Sequence, residues 1–151
     1  MMSNRGRGNK LISRRESVRE VKVVKGEEKS RLSFSFKDLD ETQPEGAPQT
    51  LELWHEHEML TTLIEKIRDV SELSRDEAVK QQIIKCYGDF PPADKTDFTH
   101  PGHVEKTVSW SVLRRIGGQK GTVAGYLVDN VFHVVFLDMD HKFWISELKH
   151  T

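Results

Sequence analysis

Apolar and polar residues alternate with a period of two in two separate parts of the chain. Near the N-terminus, Leu32, Phe34 and Phe36 alternate with serines, a pattern typical of a half-buried strand. In the last third the alternation returns and leads into a mostly apolar run at 131–138. We therefore predict one strand near the N-terminus and several strands in the last third. Residues 21–23 predict a shorter partner for the first strand.

Between these strands, apolar residues recur at spacings of three and four, as on one face of an amphipathic helix. The stretch 51–74 predicts a first helix of roughly five turns. Its apolar residues are Leu53, Trp54, Leu60, Leu63, Ile64, Ile67 and Val70. Ser74 and Glu77 have the spacing of a capping box, so a second helix is predicted from there to about Cys86, ended by Gly88. Cys86 is the single cysteine of the chain, and we interpret it as a packing residue at a helix end.

A two-residue loop at 129–130 separates the β-rich runs 122–128 and 131–138, which predicts a tight hairpin. The expected pairs are Val128 with Val131, Tyr126 with His133, Gly125 with Val134 and Ala124 with Val135. Because the run 131–138 is apolar on both faces, we expect it to be a central strand covered by the helices. With the alternating stretch 107–112, these runs predict a three-stranded antiparallel meander, and residues 142–146 would add a fourth strand.

Helices and strands are segregated along the chain, which predicts a single α+β domain over residues 31–151. The first 30 residues are rich in Arg, Gly and Ser and poor in aliphatic residues, so we predict a flexible basic arm. Residues 1–31 carry ten Lys/Arg and four Glu, whereas 37–99 carry fifteen acidic and seven basic residues. The arm is therefore expected to bind nucleic acid or another polyanion, to rest on the acidic part of its own chain, or only to keep the chain soluble. The candidate nucleic-acid-binding residues are Arg5, Arg7, Arg14, Arg15, Arg19 and Lys120.

Composition also bears on the compartment of the protein. No apolar run approaches the length of a membrane span, and no apolar stretch follows the N-terminal basic residues as it would in a secretory signal. One cysteine forms no internal disulfide, which favours a reducing environment. We therefore predict a cytoplasmic protein with no membrane partner.

The order of elements, and the rhythm of "VLRRIGGQKGTVAGYLVDNVFHVVFLDMDHKFW", resemble the RelE/ParE-like toxin superfamily over about residues 31–145. The ending, an apolar strand followed by Asp, two residues and His, also looks like that of uncharacterised bacterial and phage-borne proteins. The first resemblance implies a small toxin of a toxin–antitoxin or phage-defence system. Such a protein would act on RNA or the ribosome, pair with an antitoxin-like protein and need no cofactor.

The segment "DMDH" supplies the candidate chemistry. A histidine at a strand end can serve as acid or base in RNA cleavage, which also needs a cation near the scissile phosphate. We assign these catalytic roles to His141, Lys142 and Arg115, in a metal-independent endoribonuclease. Arg114 and Arg115 should point to opposite faces of one strand, so only Arg115, on the polar face, is expected to reach the site. The alternatives are a closing turn with a surface histidine, and an arginine paired with the acidic first helix.

The remaining histidines give no metal site by spacing. His55 and His57 diverge on a helix, and His100 and His103 have no third ligand, so no metal is predicted. We interpret His133 as a core histidine bonded to Tyr126. The "GGQKG" turn either closes a hairpin or approaches a phosphate, with Lys120 adding charge.

Two other hypotheses remain beside RNA cleavage. The protein could be a non-catalytic module that binds nucleic acid or a protein through its basic arm or its acidic helix. It could also be an inhibitor whose acidic first helix mimics nucleic acid. The residues and their spacing do not choose among the three hypotheses.

Overall fold

A mixed sheet of five strands organises the part of the chain that the structure describes. The computed structural model describes residues 30–145, and the predicted arm and the predicted strand at 21–23 lie outside them. The strands are β1 (Ser33–Ser35), β2 (Ile84–Gly88), β3 (Trp110–Leu113), β4 (Thr122–Val128) and β5 (Val131–Asp138). The helices are α1 (Leu51–Glu56), α2 (Met59–Val70) and α3 (Arg75–Lys80), followed by a 3₁₀ turn at Ala93–Lys95. The α+β class is confirmed.

The sheet has the order β1-β5-β4-β3-β2. Strands β2 to β5 are antiparallel neighbours, so the predicted meander is present. The meander has a fourth strand, but that strand is β2 and not the predicted 142–146, of which the described part, 142–145, forms no strand. Strand β1 pairs in parallel with β5, so the sheet is mixed rather than purely antiparallel.

The helices are shorter than the periodicity predicts. The first predicted helix is broken into α1 and α2 at Glu58, whose φ is 60°. Helix α3 begins with the expected capping box, in which the Glu77 N–H donates to Ser74 Oγ at 3.2 Å and the Ser74 N–H donates to Glu77 Oε1 at 2.9 Å. It ends at Lys80 because Gln82 has a φ of 61°. None of the helices within residues 30–145 is long and apolar enough to cross a membrane.

The second half of the second predicted helix is strand β2. Residues 83–86 are compatible with a helix by periodicity, but pairing with β3 makes Ile84–Gly88 a strand. As a result Cys86 is exposed on an edge strand, and its interpretation as a packing residue at a helix end is wrong.

Both faces of the sheet are buried, each by a different kind of structure. The helices cover one face, and the buried core there includes Trp54, Leu63, Leu113, Phe132 and Leu137. The other face is covered by irregular segments before β3 and after β5, with a core that includes Phe98, Trp110, Val135, Phe136 and Phe143. We call these the helix face and the loop face. The prediction that the helices cover β5 therefore holds for one of its two faces.

The β4–β5 hairpin contains a bulge that the sequence pattern did not predict. Three of the four expected pairs are present, but the register shifts between Ala124 and Gly125, so Ala124 lies opposite Phe136 instead of Val135. Val135 and Phe136 consequently both pack in the loop-face core. Beyond the bulge, Asp138 lies opposite Thr122. Simple alternation from Val131 would have placed Asp138 on the helix face.

Candidate functional site

A polar pocket of about 290 Å³ lies where the ends of several sheet strands meet. Strand β2 contributes two residues, the segment after β3 contributes two arginines, and the segment after β5 contributes a histidine. The described lining residues are Lys85, Tyr87, Val112, Arg114, Arg115, Gln119, Thr122 and His141. The chain thus brings together groups that are far apart in sequence.

The lining is rich in positive charge. Lys85, Arg114 and Arg115 are cationic at neutral pH, and His141 can become so. None of the lining residues that the structure describes is acidic. A concave site lined by several cations without a carboxylate attracts anions, and arginine is well suited to phosphate because its donors form a planar fork.

Both arginines reach the pocket, which corrects the prediction that only Arg115 could do so. Strand β3 ends at Leu113, so strict alternation does not extend to either arginine. Arg115 has a φ of 58°, which turns the chain and leaves its side chain exposed. Of the residues predicted on the polar face, Ser111 is 0% exposed, whereas Thr107 and Ser109, which precede the strand, are exposed.

Arg115 lies near a cation of helix α2, Lys66. The pKa of Lys66 is lowered, mainly by burial and secondly by the positive charge of Arg115. No carboxylate within residues 30–145 lies at ion-pair distance from Arg115. The alternative of an ion pair with the acidic helix therefore finds no support among the described residues, and Arg115 adds a positive charge at the pocket that no carboxylate neutralises.

Asp138 holds the segment that carries His141. Its Oδ1 accepts a hydrogen bond from the Lys142 N–H, and its Oδ2 accepts one from the Phe143 N–H, each at 2.8 Å. The Thr122 hydroxyl donates to Oδ2 at 3.2 Å. These bonds close a turn in which His141 takes a φ of 60°. A carboxylate at this position therefore determines where the imidazole lies.

The Asp138 carboxyl is almost completely buried, with 1% of the residue exposed. Burial raises its pKa, while the backbone donors Lys142 and Phe143, the charge of His141 and the Thr122 hydroxyl act in the opposite direction. The protonated form of this carboxyl is therefore more favoured in the folded state than in the unfolded state.

A second anchor ties the same turn to the helices. Gln49, which is largely buried, accepts a hydrogen bond from the Trp54 indole at 2.8 Å and another from the Met139 N–H at 2.9 Å. Trp54 is 0% exposed in the helix-face core. The position of the turn after β5 therefore depends on both the sheet and helix α1.

The other predicted site residues lie outside the pocket or outside the described chain. Lys142 is exposed and is not among the pocket residues, and its carbonyl accepts the Asp97 N–H at 3.1 Å. Lys120 is exposed in the turn before β4, from which Gln119 reaches the pocket instead. The five arginines of the predicted arm, Arg5, Arg7, Arg14, Arg15 and Arg19, lie outside residues 30–145.

Sequence reasoning missed Lys85 and Tyr87, although a signal for them exists. In "IKCYG" these two residues are separated by one, so a strand places them on the same face. The apolar periodicity instead predicts a helix for this segment, and in a helix that spacing separates the side chains. Gln119 and Thr122 were missed because neither carries a charge that would attract notice.

A second polar cluster joins the loop after β1 to the hairpin. The Tyr126 hydroxyl donates to the Asp38 carboxylate, and Nε2 of His103 lies 2.9 Å from the Asp38 carbonyl oxygen. Burial, followed by the bond to Asp38, raises the pKa of Tyr126 to about 12. His133 stacks on Tyr126 with 4.7 Å between ring centroids, so the predicted bond between them is a ring contact instead. The pKa of His133 is lowered, mainly by burial and secondly by the positive charge of Lys37.

The histidines form no ligand cluster in the described part of the chain. No group of three His, Cys, Asp or Glu residues within 30–145 is arranged to hold a metal ion. His100 and His103 instead face backbone carbonyls of Pro101 and Asp38. The pocket residues are therefore the candidates for a functional site.

Comparison of the chain with protein-family models, with curated proteins and with solved structures gives no match.

Proposed function

We propose that the protein binds RNA at the polar pocket and cleaves its backbone without a metal ion, as the likeness to RelE-like toxins implies. The observation that supports this proposal is the convergence of Lys85, Arg114, Arg115 and His141 on one pocket. These residues comprise one acid–base group and three phosphate-binding cations. RNA cleavage needs both kinds of group in one place.

The reaction would be attack of a 2′-hydroxyl oxygen on the neighbouring phosphorus. A base takes the hydroxyl proton, the bond from phosphorus to the 5′-oxygen breaks, and an acid gives that oxygen a proton. The products are a 2′,3′-cyclic phosphate and a free 5′-hydroxyl. His141 serves as the acid or the base, because an imidazole exchanges protons near neutral pH.

The cations stabilise the negative charge that develops on the phosphate oxygens. Arg115, exposed at the rim, and Arg114, half-buried beside it, offer several donors to these oxygens. Lys85 takes the part that the sequence had assigned to Lys142, because Lys85 lines the pocket and Lys142 does not. Gln119 and the Thr122 hydroxyl add uncharged donors.

We predict that the full-length protein cleaves free RNA in the presence of EDTA, or messenger RNA on a translating ribosome in the buffer that translation requires. The His141→Ala variant should lose at least about 100-fold in cleavage rate, since general acid–base groups contribute about 10²–10⁴-fold. A DNA strand of the same sequence should remain intact because it has no 2′-hydroxyl. Gel analysis of end-labelled strands gives both rates.

The control is His55→Ala, which removes an exposed histidine on helix α1 that does not line the pocket. It should cleave like the wild-type protein. Equal cleavage by wild type and the His141→Ala variant, or equal cleavage of RNA and DNA, contradicts the proposal.

We also predict that the Arg114→Ala/Arg115→Ala double variant binds RNA more weakly and with a shallower salt dependence. Two fewer phosphate contacts should reduce the slope of log affinity against log salt by about 1.4 for a single strand. Filter binding of an uncleavable strand at several salt concentrations measures it. The Lys80→Ala/Lys106→Ala variant, which removes two exposed cations outside the pocket, provides the charge-matched control.

A non-catalytic RNA-binding module is the second candidate, because three of the four charged pocket residues bind phosphate without acid–base chemistry. It predicts RNA binding that depends on Arg114 and Arg115, with no cleavage. If removal of residues 1–30 abolishes RNA binding and the pocket variants bind RNA like the wild-type protein, RNA binds to the basic arm and not to the pocket.

A further inference from the structure

Two aromatic rings are stacked beside the pocket. The rings of Tyr87 and Trp144 are nearly parallel, at an interplanar angle of 7°, with 4.4 Å between their centroids. Tyr87 itself lines the pocket, and Trp144 follows His141 by three residues. The aromatic pair therefore extends from the cationic pocket toward the segment that carries the imidazole.

Trp144 differs from the other two tryptophans of the chain. Trp54 and Trp110 are 0% and 1% exposed, whereas Trp144 is partly exposed. Trp110 also belongs to a cluster of aromatic rings in the loop-face core, while the aromatic partner of Trp144 is Tyr87 at the pocket. Tyr87 and Trp144 also pack against the edge of that core, but Trp144, unlike the other two tryptophans, keeps part of its surface exposed.

The cation over Tyr87 adds to the pattern. The Lys85 ammonium lies 5.2 Å from the centroid of the Tyr87 ring. Trp144 stacks against one face of that ring, so the next aromatic group in the stack would lie on the accessible part of Trp144. A cationic groove beside a stacking surface is the combination that proteins use for single-stranded nucleic acid, because every base has a face that can stack.

We propose that Trp144 is a nucleobase-stacking residue and that the substrate at the pocket is a single strand. An unpaired base stacks on Trp144 while the phosphate next to it lies among Lys85, Arg114 and Arg115. This inference rests on the proposed phosphate binding at the pocket. A base inside a duplex is already stacked on both sides, so a double strand does not offer the face that Trp144 would contact.

The test uses the full-length protein and two uncleavable ligands of equal charge: a deoxyadenylate pentamer and an abasic deoxyribose-phosphate pentamer. The pentamer with bases should bind about ten-fold or more tightly than the abasic one, since stacking on one aromatic residue is worth that much. Stacking of a base on Trp144 should also quench tryptophan fluorescence. Trp54 and Trp110 are buried, so the quenching would report on Trp144. The Trp144→Ala variant should bind the two pentamers equally, as measured by calorimetry.

The Trp144→Phe variant keeps a ring and should retain an intermediate preference, which guards against misfolding of the alanine variant. Equal affinity of the wild-type protein for both pentamers overturns the stacking role while leaving phosphate binding in place. A preference that persists in the Trp144→Ala variant also overturns it. If neither pentamer binds, the anion pocket fails together with the stacking role. A Trp144-dependent preference without RNA cleavage supports stacking and removes only the catalytic proposal.

Discussion

Replacing Gly125 with alanine should destabilise the protein by at least about 3 kcal/mol, at the upper end of the effect of overpacking a core. A methyl group on Gly125 would overlap the carbonyl oxygen of His133 and would lie 3.0 Å from the Phe132 ring. The nearest atom belongs to the backbone of the neighbouring strand, so no side-chain rotation relieves the clash. Urea or thermal unfolding of the two proteins measures the loss.

Gly102→Ala is the matched control, because a methyl group there would meet nothing within 4 Å. It should change stability by less than about 1 kcal/mol. A Gly125→Ala variant as stable as the control would contradict the close approach of Gly125 to the His133 carbonyl. Without the bulge, Asp138 would face the helices and the pocket would lose its histidine-bearing turn.

Replacing Asp138 with alanine should cost about 3 kcal/mol of folding free energy. The substitution removes the acceptor of two backbone N–H groups, those of Lys142 and Phe143, and of the Thr122 hydroxyl. A buried donor left without a partner costs about 1–3 kcal/mol. The Asp138→Asn variant keeps the size and one acceptor oxygen, so its loss should be smaller. Chemical denaturation of the three proteins gives the order.

The gap in stability between wild type and the Asp138→Asn variant should depend on pH. Burial raises the pKa of the folded carboxyl above its ordinary value, so folding favours proton uptake by this group. The contribution of Asp138 to stability is therefore greatest at a pH below the ordinary carboxyl pKa. It declines as the pH rises through the raised pKa of the folded state. Other titrating groups are common to both proteins and cancel in the difference. A gap that widens with rising pH would contradict the direction of the shift.

The same variant separates positioning from binding at the site. Asp138 holds the turn of His141, whereas Arg114 and Arg115 follow another strand, so Asp138→Asn should reduce cleavage more than RNA affinity. Val70→Ala creates a cavity in the helix-face core at a cost of about 1–3 kcal/mol, away from the pocket. It should retain cleavage at temperatures where it is folded. If both variants lose cleavage alike, Asp138 has only a structural role.

Local patterns predicted much of the fold. The capping box of Ser74 and Glu77 and the two-residue hairpin loop were recognised because each depends on residues close together in the chain. The α+β class followed from where the two periodicities occur. The same reasoning assigned Ile83 and Ile84 to a helix, since an apolar pair is compatible with either structure. Pairing with β3, which begins at Trp110, makes that segment a strand.

The candidate site was only partly predictable for the same reason. The chemistry of His141 and Arg115 singled them out, and both line the pocket. Strand alternation predicted that Arg114 faces away from them, but the strand ends at Leu113, so the alternation does not apply to Arg114. Lys142 was selected because it follows His141 in sequence. Its backbone closes the turn, and its side chain does not reach the pocket.

Residue pattern and composition alone determined the short-range features of this protein: strand and helix periods, one helix cap, one hairpin and the uneven charge. Only the tertiary structure decided that β1 pairs in parallel with β5, that a bulge at Gly125 turns Asp138 to the loop face, and that Lys85 joins Arg114 at one pocket. Each of these depends on hydrogen bonds between strands that are distant in the chain. Such pairing depends on the free energy of the whole sheet, and the periodicity of a single segment gives no information about it.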